Sequence, residues 1–345
     1  MEFFSGGNTH TGFYSLFEQT LSCVDRKYIL KGSPGCGKST LLKKIAAECD
    51  KRGIGYDLVR CSADTNSLDG IIVHELGFAV ADGTAPHLLD VKYPCVRESI
   101  VNLGEFWNEK MLIARTDEIM ALSDRKSGHF ASAYRFLRAA GEAAVCRDRL
   151  TSDCFDYTAI EDCACKLLEG IAPQIGDIKY LFSSAFCKNG IETLPTFGDI
   201  KTAVRADKKL SFGNLLIGII VSFCRERGIA AIVSVSPTDS KRFDAVYFPC
   251  ADTLIYCGDV LPARSSRDES PILASRYINR DAFASVRLRT SSCERFIAEM
   301  YSSASEAMSS ACDCHSLLEN IYIRCMDFDS MNEYTDRFCK RLFDE

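Results

Sequence analysis

The sequence predicts an α/β protein: a parallel sheet flanked by helices, built twice in tandem, with a helical tail on each copy. Three observations predict it. A glycine-rich loop joins a short apolar strand to an amphipathic helix between residues 27 and 53. Apolar, β-prone runs then alternate with helical stretches. Residues of the first half recur, in order, in the second.

The strand is "KYIL" (27–30). The loop and helix start are "GSPGCGKST" (32–40), and Gly32, Gly37, Lys38 and Ser39 fit G-x-x-x-x-G-K-[ST]. Backbone N–H groups must wrap a phosphate closely, and a Cβ at the wrapping positions would block the approach. The expected binding residues are Gly32, Ser33, Pro34, Gly35, Cys36, Gly37, Lys38, Ser39 and Thr40. Lys38 places a point charge on the β/γ-phosphates, and Ser39 offers a hard oxygen to Mg²⁺. In "KSTLLKKIAAECDKRG" (38–53), Leu41, Leu42, Ile45, Ala46 and Cys49 have helical spacing and Gly53 supplies the stop.

Further strands are expected at "GYDLVRC" (55–61) and "GFAVADG" (77–83), and in the second half at "AAIVSVS" (230–236) and "DTLIYCG" (252–258). Helical periodicity runs through about 105–170 and again through about 285–343. "PARSSRDESP" (262–271) reads as a polar loop.

The repeat has two registers. At an offset of 178, Phe4, Ser5 and Gly12 recur as Phe182, Ser183 and Gly190. At 175, Cys49, Arg52, Gly53 and Ile54 recur as Cys224, Arg227, Gly228 and Ile229, and Asp64 and Asp69 as Asp239 and Asp244. The signature itself does not recur: Gly32, Gly35, Gly37, Lys38 and Ser39 map to Asp207, Leu210, Phe212, Gly213 and Asn214. The second copy therefore keeps the fold and loses the nucleotide. The domains expected are 1–175, the active lobe, and 176–345, the degenerate one.

Composition bounds the function. The chain has 345 residues, 47% of them hydrophobic, and a net charge of −6 with no basic stripe, which argues against a nucleic-acid surface. No apolar run has the length of a membrane span: "SFGNLLIGIIVSF" (211–223) stops at Arg225. "MEFFSGGNTH" has no leader pattern, and a cytoplasmic location is expected. The 18 cysteines are scattered through apolar and helical contexts, as reduced core residues are. "CAC" (163–165) and "CDCH" (312–315) have the wrong spacing for zinc.

With the loop, "CSADTNSLDG" (61–70), "ADGTAPH" (81–87) and "HSLLENIYIRCMDF" (315–328), the chain resembles a bacterial family of two-lobed P-loop NTPases, described as ATPases or nucleotide kinases. The resemblance covers most of the chain and implies a P-loop NTPase-type sheet in each lobe. The second lobe here is more degenerate than in such relatives.

Among other residues, Asp82 ends an apolar strand, the form of an aspartate that supports Mg²⁺. Lys38 and Asp82 are the expected catalytic residues, and Ser39 and Asp82 the expected metal residues. Asp64 and Asp69 recur in the copy without a signature, which favours a turn or cap role. Thr84 and His87 change to Asp259 and Pro262 and are better functional candidates. Glu75, which becomes Cys250, is a candidate for activating water. His315 and Glu319 read as a plain i, i+4 pair. The expected function is Mg²⁺-dependent hydrolysis of ATP or GTP, serving a protein or small-molecule partner. The alternatives are a small-molecule or nucleotide kinase, for which Arg97, Arg115 and Arg125 are available, and a nucleotide-dependent binding module with little turnover.

Overall fold

The computed structural model describes residues 1–171, 174–258, 260, 264–268 and 270–344. Asp259 and Pro262, the expected counterparts of Thr84 and His87, lie outside them. In chain order the main elements of the first half are β1 (Arg26–Lys31), α1 (Lys38–Arg52), β2 (Asp57–Arg60), β3 (Leu68–Val73), β4 (Phe78–Asp82), β5 (Glu98–Asn102), α2 (Thr116–Thr151) and α3 (Tyr157–Glu169). The second half contributes β6 (Ile178–Leu181), β7 (Asp199–Ala206), α4 (Phe212–Arg227), β8 (Ala231–Val235), β9 (Phe243–Phe248), β10 (Thr253–Cys257), β11 (Arg264–Asp268), α5 (Arg280–Arg324) and α6 (Phe328–Asp344). The two halves are similar arrangements of sheet and helices. The stretch read as a polar loop at 262–271 contains β11.

By compactness the chain divides into two units, each discontinuous in sequence. The loop unit is Ser15–Ala133, Cys187–Asn189 and Glu306–Glu345. The second unit is Met1–Tyr14, Tyr134–Phe186 and Gly190–Ser305. This partition groups residues by contact and differs from the 1–175 and 176–345 division expected from the repeat.

In the loop unit the strands run in the order β2-β3-β4-β1-β5. β1 is parallel to β4 and β5, pairing Leu30 with Asp82 and Lys31 with Asn102. β3 is antiparallel to both β2 and β4. The sheet is therefore mixed, not parallel as expected. The cause is connection length: residues 61–67 and 74–77 are too short for a crossover, which takes a dozen or more residues. β3 was not among the expected strands: it is a continuous buried run, LDGIIV, that no alternation pattern reveals, and it alone runs against the expected strands β2, β4 and β1. The second unit repeats the plan in the order β11-β7-β10-β9-β8-β6, with β9 antiparallel to β8 and β10.

The recurring residues have identifiable local roles. Gly53 and Gly228 adopt left-handed conformations that end α1 and α4. Behind each, Ile54 N–H donates to Cys49 O and Ile229 N–H to Cys224 O, both closing the last turn. Asp64 and Asp239 shape the same turn: each carboxylate accepts from the residue two further on, Asn66 and Lys241. Phe4 and Phe182, matched by the repeat, exchange backbone hydrogen bonds at 2.9 and 3.0 Å in the second unit.

The tails show a second recurrence. Asn108 N–H donates to Cys325 O and Asp327 N–H to Phe106 O. At 171 residues' distance, Asn279 N–H donates to Cys154 O and Asp156 N–H to Tyr277 O. Each pair of bonds ties the chain ahead of one tail to the end of the other tail. Accordingly α6, from the C-terminal end of the chain, belongs to the loop unit: Phe338, Cys339 and Leu342 are buried in one cluster with Leu41, Leu42 and Ile45 of α1. Among the described residues no helix is long and apolar enough to cross a membrane. The 211–223 stretch forms most of α4, which buries Phe212, Leu216, Ile217 and Ile220.

Candidate functional site

The loop leaves the carboxyl end of β1 and opens α1. Gly35 and Gly37 hold φ of +77° and +85°, a region L side chains avoid. A Cβ at Gly35 would stand 2.9 Å from Glu319 O, and one at Gly37 would stand 2.9 Å from Met331 Cε. Both glycines are thus required by conformation and by the helices α5 and α6 packed against them. The N-terminus of α1 carries no side-chain cap, so its first-turn N–H groups are directed at whatever the loop encloses.

All nine expected binding positions, Gly32 through Thr40, line one cavity of about 800 Å³. Lys38 Nζ donates to Gly32 O at 2.6 Å and Ser33 O at 3.2 Å, and stands 3.6 Å from Asp82 Oδ2. Asp82 Oδ1 accepts from Thr84 N–H at 2.8 Å and Thr84 Oγ1 at 2.7 Å, which fixes the carboxylate at the strand end. Ser39 Oγ accepts from Leu68 N–H at 3.2 Å. Lys31 secures the segment after β4 by donating to Gly83 O and Leu89 O.

Asp69 and His87 also line this cavity, joined to each other: His87 Nε2 is 2.9 Å from Asp69 Oδ2 with both side chains buried. Cys61 lines the cavity beside Asp69. Burial first, and the Asp69 charge next, push its thiol well above the ordinary range. Asp64 stays in its turn and Glu75 sits exposed on the β3–β4 connection; neither lines the cavity. The arginines considered for a lid are elsewhere. Arg97 faces Asp25 at 3.5 Å, and Arg115 and Arg125 line a separate groove with Glu118 and Arg324.

His315 and Glu319 both line the cavity, so α5 brings them to the loop rather than leaving them as a surface pair. The residues not anticipated are Lys126, Phe130, Trp107 and Phe328. Lys126 was legible in principle. It falls between Leu122 and Ala133 on the buried stripe of α2, where a lysine breaks the apolar pattern. Burial first, with repulsion from Lys38, lowers its pKa against the opposing influence of Cys314. His315 is exposed at the cavity wall. Desolvation, then repulsion from Lys126 and Lys38, lowers it, and Asp64 opposes.

In the second unit Lys208, Ser211 and Asn214, the counterparts of Ser33, Cys36 and Ser39, line a cavity of about 310 Å³. Leu210 and Phe212 are buried, and Phe212 stacks on Tyr277 at 5.1 Å. A Cβ at Gly213 would lie 2.3 Å from Cys257 Cβ, so no lysine fits where Lys38 stands in the first half. Asn214 Nδ2 donates to Phe243 O and Asp244 Oδ1. Arg147 and Arg242 are held by Asp148, and Arg242 also by Asp239.

No disulfide links cysteines among the described residues, and no group of three or more His, Cys, Asp or Glu there is arranged to hold a metal. No family model, no curated protein and no solved structure matches the chain.

Proposed function

We propose that the loop unit binds a magnesium nucleoside triphosphate, ATP or GTP, and hydrolyses it, while the second unit descends from a duplication and has lost its nucleotide site. One observation carries the reading: the whole Gly32–Thr40 loop lines a single cavity in which Lys38 Nζ stands 3.6 Å from Asp82 Oδ2. A positive-φ glycine loop, an uncapped helix start and a lysine are an anion cradle. The parallel strands β1, β4 and β5 support the likeness to P-loop sheets, and the recurrences at 175 and 171 residues support the duplication.

In this mechanism the first-turn amides and loop amides bind the phosphates. Lys38 exchanges the carbonyls of Gly32 and Ser33 for phosphate oxygens. Ser39 and Asp82 are the hard oxygen donors that would hold Mg²⁺, which usually needs only one or two protein ligands beside phosphate and water. When bound, the metal would neutralise charge on the phosphates. Thr84 keeps the Asp82 carboxylate aimed, and Trp107, Phe130, Ile323 and Phe328 offer an apolar wall for a flat group.

The test is the full chain with ATP or GTP, Mg²⁺ and candidate acceptors, read for phosphate release and for phosphoryl transfer. Mg²⁺-dependent release that Lys38→Ala abolishes is expected. Transfer to an acceptor would make the protein a kinase, and tight binding without release a binding module. The placement of Arg115 and Arg125 away from the cavity weighs against the kinase. Absence of nucleotide binding would overturn the reading.

A further inference from the structure

We infer that Lys126 of α2 and His315 of α5 hold the terminal phosphate of the bound nucleotide, so that the cavity selects a triphosphate over a diphosphate. The inference rests on the nucleotide reading of the loop and adds two residues that no motif contains.

Place is the first argument. Both side chains line the loop cavity, although they lie far from Lys38 in sequence. Both are close enough to Lys38 to be repelled by it, and His315 is repelled by Lys126 as well. In this loop the lysine stands at the β- and γ-phosphates. Lys126 and His315 share one cavity with Lys38 and can carry the positive charge that a terminal phosphate takes.

Charge is the second. Lys126 is half-buried on an apolar stripe, and among the described residues the charges that act on it are Lys38, which opposes its ammonium, and Cys314, which favours it only as a thiolate. Burial of an ammonium without a carboxylate costs free energy, and an anion in the cavity would offset that cost. The carboxylates nearby have other partners: Asp69 has His87, Asp82 has Thr84 and Lys38, and Asp64 has its own turn. Glu319 is the one remaining acid on the wall.

The third argument comes from the chain's own second half. At the tail offset of 171, Lys126 corresponds to Ile297, Phe130 to Tyr301 and His315 to Ala144. All three counterparts line the second unit's cavity, so the positions are equivalent in space as well as in number. There Gly213 stands in place of the loop lysine and neither tail position carries a cation; Arg147, Lys208 and Arg242 of that cavity come from other positions, and Asp148 holds the two arginines. A lysine and a histidine kept only beside an intact loop belong with the loop's ligand.

The experiment is titration calorimetry of the full chain with Mg²⁺ and either ADP or a non-hydrolysable ATP analogue. Lys126→Ile, which installs the counterpart residue, should weaken the analogue by about 10–100-fold, the worth of a charge-assisted hydrogen bond. ADP should change by less than about threefold. His315→Ala should act in the same sense but less, and Lys126→Arg should retain most of the discrimination. Arg125→Ala, the neighbouring residue in the other groove, is the control and should leave both affinities unchanged. Equal loss for both nucleotides, or no loss, overturns the inference while leaving the nucleotide reading standing. If the unaltered protein binds neither these nucleotides nor GDP and a non-hydrolysable GTP analogue titrated in the same way, or Lys38→Ala binds normally, the reading fails and the inference with it. Melting temperatures of the variants separate a lost contact from a lost fold.

Discussion

His87 Nε2 stands 2.9 Å from Asp69 Oδ2, and each side chain keeps only 7% of its surface exposed. Phe17 packs on the imidazole with ring centres 4.6 Å apart. The pair ties β3 to the segment after β4, on which Thr84 positions Asp82. Asp69 and Asp82 therefore act on the site in different ways, one by holding the wall and the other by facing Lys38.

Asp69→Asn and Asp82→Asn should accordingly separate. Asp69→Asn leaves a buried histidine with a weaker acceptor, so a stability loss of about 1–3 kcal/mol is expected. That corresponds to a fall of roughly 2–12 °C in melting temperature for a unit of this size. Asp82→Asn should instead cost turnover, by about 2–4 kcal/mol of barrier, with a smaller change in nucleotide affinity. Calorimetric melting and steady-state phosphate release on both variants check this. The reverse pattern would exchange the two roles.

One nucleotide per chain is the second expectation. Gly213 has no room for a side chain against Cys257, and Leu210 and Phe212 fill the second loop. Gly213→Ala should destabilise the second unit by about 1–3 kcal/mol through overpacking, with nucleotide stoichiometry unchanged. Lys38→Ala should abolish all binding. Titration calorimetry that finds two nucleotides per chain would refute the loss of the second site.

Much of the candidate site's geometry was legible because its causes are local. A strand, a glycine loop and a helix are encoded within residues 27–53, and Asp82 is announced by the apolar run before it. The strand β3 itself was not, because LDGIIV is buried on both faces and has no alternation to read. The partners of Gly35 and Gly37 were not legible either. Glu319 and Met331 reach the loop through packing between segments nearly three hundred residues apart, and a repeat search matches halves without saying which tail completes which sheet. Lys126 left a trace as a charge on an apolar stripe, but nothing local ties that charge to a loop about ninety residues earlier.

Nucleotide binding should take up a proton. Desolvation, then Lys126 and Lys38, lowers the His315 pKa in the protein alone, and Asp64 opposes them. A terminal phosphate beside the ring favours the charged form and raises the pKa again. The bound state then holds more protons than the free state in the window between the two values. Affinity for the ATP analogue should rise as pH falls through that window, from the ordinary histidine range downwards. The phosphate titrates nearby, so the measurement is the difference from His315→Asn, made by calorimetry in buffers of different ionisation enthalpy. An identical proton uptake in the variant would remove His315 from the linkage.

The tail at the end of the chain should be indispensable to the loop at its beginning. Phe338, Cys339 and Leu342 of α6 are buried with Leu41, Leu42 and Ile45 of α1, the helix that carries Lys38 and Ser39 at its start. Tyr28 of β1 meets the Phe338 ring edge-on at 5.2 Å. A fragment of residues 1–175 keeps the loop and loses this cover, so the apolar face of α1 is left in water. The fragment should aggregate or melt far below the full chain, and Lys38 should no longer confer nucleotide binding. A milder form of the same experiment keeps the chain whole. Phe338→Ala removes a ring that is 3% exposed and should cost about 3–5 kcal/mol. Saturating nucleotide should recover part of that loss, because a ligand that binds only the folded site stabilises it by mass action. Leu288→Ala, at a residue of α5 that is 80% exposed, should change neither quantity. A 1–175 fragment that binds nucleotide with the affinity of the full chain would show that the loop needs no helix from the other half.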